Sequence, residues 1–201
     1  ILTNTIHNGH RFILELSAYY QLINDYIFLQ PQEEFRLTIR GAFPVFTYQQ
    51  TNAEIDGLDL MAKYEPVEQI ELLLKYALVR GRDRKNMLPL VYMPADNLFS
   101  SASFTFPDLG KLVAPGLKLS ATYVFKQSRL EPVQDFLAPP DAYFLFGLGL
   151  EGKVQLQKSD FTLSIQADNL LNARYRDYLN RLRYYADEAG RNIRMNLRYT
   201  F

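Results

Sequence analysis

The chain of 201 residues contains no cysteine and no tryptophan, and it has no long hydrophobic run. Without cysteine it can form neither disulfides nor thiolate metal sites. Because no stretch of 18 or more apolar residues is present, the sequence predicts no transmembrane helix. The 22 basic and 22 acidic residues cancel, so nothing in the charge balance indicates nucleic-acid binding. The first residues do not resemble a secretory signal peptide, and we expect that the chain begins partway through a protein or after such a peptide.

Aromatic residues are abundant by contrast, with 14 Tyr and 14 Phe. These side chains suit β-strands and the aromatic girdles of membrane interfaces. Composition alone also permits a soluble β-protein, so the order of the residues has to decide between the two classes.

The C-terminal segment, residues 191–201, alternates strictly between apolar and polar side chains. Successive side chains of a strand point to opposite faces, so this segment is predicted to be a strand with one apolar and one charged face. Most of the segments with this period are long enough for the roughly ten-residue crossing of a tilted barrel strand. About eight strands are predicted, at 12–21, 58–64, 70–76, 98–106, 117–126, 144–156, 161–168 and 191–201.

The connections between these segments are alternately short and long. Short polar turns are predicted at 8–9, 66–69, 107–110 and 158–160, and long irregular connections at 30–44, 81–97, 131–141 and 180–190. This alternation is typical of outer-membrane barrels, which have tight periplasmic turns and long extracellular loops. The Greek-key connections of a soluble sandwich give no reason for it. The sequence therefore predicts an all-β antiparallel meander in the bacterial outer membrane.

Several motifs resemble those of one known family. An N-L-(hydrophobic)-(D/N)-x-x-Y box is formed by Asn169, Leu170, Leu171, Asn172 and Tyr175, and Ala189, Gly190, Arg191 and Asn192 lead into the last strand. The segment NAEIDGLDL at 52–60 resembles an N-A-x-I-x-G-(hydrophobic)-(E/D)-L barrel segment. RGRD at 80–83, with the Pro-Leu and Met-Pro pairs that follow, resembles the loop after the next strand. In this order, the motifs resemble the C-terminal part of a TonB-dependent outer-membrane receptor.

The resemblance implies a 22-stranded barrel that encloses an N-terminal plug domain with a TonB-binding segment. Residues 1–201 are then expected to be the C-terminal segment of that barrel, without the plug and the first strands. The implied partners are the lipid bilayer, the plug and remaining strands of the parent chain, TonB through the plug, and the barrel-assembly machinery. The aromatic terminus, Tyr199 and Phe201, is the implied signal for that machinery. The implied activity is TonB-driven uptake of a scarce nutrient, such as an iron–siderophore, haem or cobalamin-like chelate.

Basic and aromatic residues of two outer loops are the candidate ligand contacts: Arg80, Arg82, Arg84, Arg181, Arg183 and Tyr184. Arginine suits anionic groups such as carboxylates and phosphates. Neighbouring acidic residues weaken this field, and solvated loop charge is the alternative interpretation of the arginines. For Tyr184 the alternative is a place in an aromatic belt at the membrane interface. Charged residues on the polar face of the strands are interpreted as a cross-strand lattice that contacts the plug, in preference to a transport path.

The two histidines, His7 and His10, flank an Asn-Gly pair that favours a type I′ turn, and they are predicted to face each other across the hairpin. Two ligands leave a metal site incomplete, so we predict no metal site. With both histidines at one turn, a nucleophile lacks an oriented base, and we predict neither catalytic residues nor a cofactor. Two alternatives stay open: a complete eight-stranded outer-membrane barrel with a structural or adhesion role, and a soluble β-sandwich.

Overall fold

A computed structural model describes residues 4–7, 10–131, 134–156 and 159–201, with the backbone alone for residues 4–7 and 33. These residues form one antiparallel sheet of nine strands, ordered as in the sequence. The strands are β1 (Asn4–His7), β2 (His10–Thr38), β3 (Gly41–Val67), β4 (Ile70–Asp83), β5 (Asn97–Thr105), β6 (Leu112–Val124), β7 (Tyr143–Gln155), β8 (Asp160–Asp168) and β9 (Asn192–Thr200). The described segments include no helix long and apolar enough to cross a membrane. The predicted meander is confirmed.

One face of the sheet is apolar because the period-2 patterns of neighbouring strands are in register. A typical row across β5 to β9 is Ala102, Leu119, Leu148, Ala167 and Ile193, each paired with the next. Large side chains of this face stay exposed, including Leu119 at 46% and Ile193 at 64%. A single layer with an exposed apolar face is the arrangement that a lipid-facing barrel wall requires. A β-sandwich needs two packed sheets, so the structure excludes that alternative.

The opposite face is polar and carries ion pairs between neighbouring strands. The Lys63 Nζ lies 2.6 Å from a carboxylate oxygen of Glu71. The Lys153 Nζ lies 2.8 Å from a carboxylate oxygen of Asp160 on β8. These pairs form the kind of cross-strand lattice expected from the sequence.

The sheet is open within the described residues, because the strand order runs from β1 to β9 without returning to β1. A closed eight-stranded barrel would require the first and last strands to pair. The structure therefore does not favour the small-barrel alternative.

The long irregular connection predicted at 30–44 is wrong. Strands β2 and β3 continue through this region as one hairpin and pair, with a register shift between Pro31 and Phe35, up to Thr38 and Gly41. Pro31 and Pro44 lie within these strands, although proline cannot donate a ladder hydrogen bond. Strand β3 pairs with β4 only as far as Ala53, so beyond it β3 has a free side that tolerates Pro44. Pro31 lies next to a register shift in β2.

The other connections agree with the prediction. Residues 84–96, 125–142 and 169–191 link β4 to β5, β6 to β7 and β8 to β9, and those that the structure describes contain no strand. The turn predicted at 8–9 lies outside the described residues, as do 157 and 158, but His7 and His10 are paired as expected.

The family-like motifs have local structural reasons. Asn169 and Asn172 have φ angles of 48° and 55°, a left-handed conformation that asparagine tolerates better than most residues. The Asn172 Oδ1 accepts a hydrogen bond from the Arg191 N–H at 2.9 Å, where the chain turns into β9. A Cβ atom on Gly190 would lie 2.5 Å from the same Oδ1. This contact explains why glycine precedes Arg191.

Candidate functional site

The long connections at one end of the sheet pack together into a single layer. The Phe46 ring, from the β2–β3 hairpin, lies 5.5 Å from the Phe136 ring of the β6–β7 connection. The Phe136 ring lies 5.6 Å from the Tyr184 ring of the β8–β9 connection. These contacts join a hairpin and two loops that belong to different, non-neighbouring parts of the sheet. The hairpin end and the loops are therefore held together as a unit. We call this unit the outer-loop cluster and define it as Phe46, Tyr92, Asp135, Phe136, Tyr178, Arg183 and Tyr184.

An ion pair lies at the centre of the outer-loop cluster. The Arg183 guanidinium donates to a carboxylate oxygen of Asp135, and both side chains are only 2% exposed. The Tyr184 hydroxyl donates to the other Asp135 oxygen at 2.6 Å. The Arg183 guanidinium also lies over the rings of Tyr178 and Tyr184, at 4.9 and 4.5 Å from their centroids. Such a charge is tolerated away from water only when it is paired and hydrogen-bonded, so this pair fixes two loops to each other.

Tyrosines extend the network to the β4–β5 connection. The hydroxyls of Tyr92 and Tyr184 lie 3.0 Å apart, and the Tyr92 N–H donates to the Tyr178 hydroxyl at 3.3 Å. Burial raises the pKa of Tyr178 to about 12. Burial, and then the hydrogen bond to Asp135, raises the pKa of Tyr184. These phenols therefore stay neutral at physiological pH and keep their hydrogen-bonding role.

The local sequence positions Arg183 and Tyr184 through a short 3₁₀ helix at Arg181–Tyr184. Asn180 caps this helix, and its Oδ1 accepts a hydrogen bond from the Leu182 N–H at 2.9 Å. The Arg176 guanidinium donates to the Arg183 carbonyl at 2.7 Å. The helix is thus held at both ends, which directs the Arg183 side chain into the cluster.

A second, separate ion cluster lies at the outer end of β4. The Arg80 guanidinium donates to both carboxylate oxygens of Asp96, at 2.5 and 2.7 Å. The Tyr76 hydroxyl donates to Asp96 at 3.1 Å, and Arg129 lies 3.8 Å away. The Arg80 hydrogen bonds hold the pKa of Asp96 below its ordinary value. This bidentate pair ties the end of the β4–β5 connection to β4.

The structure brings together only some of the predicted ligand contacts. Arg183 and Tyr184 belong to the outer-loop cluster, and Arg181 adjoins it, with its guanidinium 5.4 Å from the centroid of Tyr92. Arg80 lies in the separate ion cluster. Arg82, Arg84 and Arg181 are exposed, whereas Arg80 and Arg183 are engaged with carboxylates. Their role as ligand contacts stays a prediction.

Sequence reasoning missed five members of the cluster: Phe46, Tyr92, Asp135, Phe136 and Tyr178. Asp135 is 48 positions from Arg183 in the sequence, and Tyr92 is 86 positions from Tyr178. Neither separation belongs to a local pattern. Only the three-dimensional placement of the loops reveals these partners.

The remaining predicted residues lie far from the cluster. Tyr199 is on the apolar face, where its ring lies 4.7 Å from that of Phe161, and Phe201 is 97% exposed. The ring of His10 stacks on Tyr64, whose hydroxyl lies 3.0 Å from the His10 Nδ1. Among the described residues, no three His, Cys, Asp or Glu side chains come together as a potential metal site.

These features define the class of fold: part of the wall of a transmembrane β-barrel, with one lipid-suited face, one polar face and packed outer loops. Among solved structures, the chain matches the copper transporter OprC with a TM-score of 0.70 and 17% sequence identity. The match covers 96% of this chain and 29% of that one. No protein-family model and no curated protein sequence matches the chain. The predicted fold, an antiparallel meander that matches part of a transporter barrel, is confirmed.

Proposed function

We propose that this chain is the C-terminal barrel segment of a TonB-dependent receptor in the bacterial outer membrane. The observation that carries the proposal is the single-layer sheet with a continuous apolar face, matched over 96% of the chain by a transporter barrel. The chain spans 29% of that transporter, which leaves room in a parent protein for a plug and further strands.

The parent protein would take up a scarce nutrient as a metal chelate, such as an iron–siderophore, haem or a cobalamin-like compound. The outer loops, with the exposed Arg82, Arg84 and Arg181, would contact the ligand. The polar face with its ion pairs would contact the plug, and TonB would supply energy through the plug. The exposed aromatic Phe201 would be read by the barrel-assembly machinery. Each step assigns the chain a binding and structural role, with no bond-making chemistry.

Uptake by the full-length parent tests this proposal. Cells that express the parent receive a labelled ferric siderophore, haem or cobalamin, in matched strains with and without TonB. We expect one of these probes to accumulate inside cells only when TonB is present. Accumulation that is equal in both strains would contradict the TonB-driven mechanism. If no probe accumulates above the level in cells without the parent, the proposed ligand class is wrong.

A further inference from the structure

The β2–β3 hairpin contains a β-bulge at the height where β4 ends. Ile23 pairs with Ala53, but the next pair is Tyr26 with Thr51, so β2 has one extra residue. Asp25, within the bulge, has a φ of 56°, and its N–H donates to the Asn52 Oδ1 at 3.3 Å. An extra residue reverses the alternation of the bulged strand relative to its partner. After the bulge, from Tyr26 onwards, the even-numbered side chains of β2 therefore lie on the face that the odd-numbered side chains occupy before it.

Apart from the aromatic Tyr26 and Phe28, the side chains of the amide pairs on this redirected face are polar but uncharged. Phe28 pairs with Gln49, and Gln30 pairs with Thr47, so these residues share one face with Thr51. On β3 the row continues that of Asp59 and Lys63, which lies on the polar face of the sheet. We call Gln30, Gln32, Thr47, Gln49 and Thr51 the amide stripe. Gln32 and Gln49 both donate to the Thr47 hydroxyl, at 2.8 and 3.2 Å.

A cavity of about 290 Å³ lies between the amide stripe and the loops that cover it. Its walls include Phe28, Gln30 and Gln49 from the hairpin, Asn86 and Leu88 from the β4–β5 connection, and Gln134 from the β6–β7 connection. Three separate parts of the chain thus contribute hydrogen-bonding or apolar groups to one concave surface. Its volume is at the lower end of the range for ligand pockets.

Some of the hydrogen-bonding groups that line the cavity are already paired within the protein, and others are not. Asp83, the only charged residue of the lining, accepts hydrogen bonds from the Thr51 hydroxyl, the Lys85 N–H and the Asn86 amide. The Gln134 amide is also occupied at both ends, by the Pro89 carbonyl and the Glu131 N–H. Among the described residues, the Gln30 side chain and the Gln49 Oε1 have no hydrogen-bond partner.

We propose that this cavity binds a neutral, hydroxyl-rich ring of the transported ligand, of the kind found in sugars. A free amide offers a donor and an acceptor, and a hydroxyl group offers the same pair in return. The charge of Asp83 is already satisfied, so the cavity has no free ion to match a charged group. Phe28 and Leu88 supply an apolar surface for the C–H face of a ring. The inference rests on the proposed function, because it concerns a part of the ligand that the parent protein carries.

Sugar binding to the full-length parent in detergent micelles tests the proposal. Glucose, galactose and N-acetylglucosamine are titrated separately and followed by isothermal titration calorimetry. We expect saturable binding of at least one of these sugars, weakened about tenfold by Gln49→Leu, since a single net hydrogen bond accounts for up to that factor. Gln21→Leu is the matched control, because Gln21 is an exposed glutamine of the same hairpin that pairs with Ile55, on the other side of the bulge, and does not line the cavity. Gln30→Leu repeats the test from β2 if Gln49→Leu does not fold.

Two results would overturn the inference. One is the absence of saturable binding for all three sugars, and the other is equal weakening by Gln49→Leu and Gln21→Leu. Binding in micelles needs neither TonB nor an energised membrane, so the two proposals fail separately. TonB-dependent uptake without sugar binding would refute only the cavity assignment. Sugar binding without TonB-dependent uptake would refute only the transport proposal.

Discussion

Removing the charge of Asp135 should release the outer loops as a unit. Asp135→Asn leaves the Arg183 guanidinium buried without its counter-ion, and both side chains are 2% exposed. Breaking a buried ion pair in this way costs about 3 to 5 kcal/mol. The loss also affects Tyr184, whose hydroxyl donates to Asp135. The rest of the sheet should keep its stability, because every cluster residue except Phe46 lies outside the strands.

Hydrogen exchange of the full-length protein in micelles measures this effect. The Tyr185 N–H reports on the cluster, since it donates to the Leu182 carbonyl at 2.9 Å within the same loop. A loss of about 3 to 5 kcal/mol would accelerate its exchange by roughly a hundredfold to a few thousandfold. Amides in the middle of β6 and β7 should exchange as they do in the unchanged protein.

Asp141→Asn is the matched control, because Asp141 lies in the same β6–β7 connection and pairs with Lys126. That pair is exposed, at 91% of the Asp141 side chain and 51% of the Lys126 side chain, so its loss should leave the stability of the loop nearly unchanged. If Asp135→Asn and Asp141→Asn accelerate the exchange of Tyr185 equally, the cluster is not held by its buried ion pair.

Three further predictions concern the turn into β9, the loop tyrosines and the terminus. Gly190→Ala should destabilise the protein by about 1 to 3 kcal/mol in denaturation measurements, because its Cβ would displace the Asn172 side chain from the Arg191 N–H. Gly116→Ala is the control and should show no such loss, because its Cβ would lie 3.9 Å from the nearest atom, the Phe104 carbonyl oxygen. The pKa of Tyr178 is higher in the folded than in the unfolded chain, so the stabilising effect of the neutral phenol is present below pH 10 and is lost as the pH rises towards 12. Limited proteolysis should detect opening of the loops in that range. Cleavage that does not change between pH 10 and pH 12 would contradict this prediction. Phe201→Ser should reduce the amount of barrel assembled in outer membranes, and an equal yield would refute the role proposed for the terminus.

The strands from β4 to β9 could be predicted from the sequence, because their side chains alternate with the period of two that a half-exposed sheet requires. The extension of β2 and β3 could not, since Pro31 and Pro44 carry the same local signal in a loop and in an edge strand. The bulge at Asp25 was equally hidden, because an aspartate in a left-handed conformation has no distinctive local sequence.

The candidate site was predictable only as a set of loop residues. The sequence placed Arg181, Arg183 and Tyr184 in one outer loop, and the structure keeps them close together. It could not predict that Asp135 neutralises Arg183, because their pairing depends on how two loops fold over the sheet. Arginines in a loop have the same sequence pattern whether they face a ligand or a buried carboxylate.

One face of this sheet is proposed to meet lipid, and spin labelling of β6 in the full-length protein shows whether it does. These 201 residues contain no cysteine, so once any cysteine elsewhere in the full-length protein is replaced by serine, each single-cysteine variant from residue 117 to residue 122 carries one label. Accessibility to oxygen should peak at Leu117, Leu119 and Ala121, which lie on the apolar face. It should fall at the three residues between them, on the polar face. An oxygen accessibility without a period of two, or with its peaks at residues 118, 120 and 122, would contradict the account.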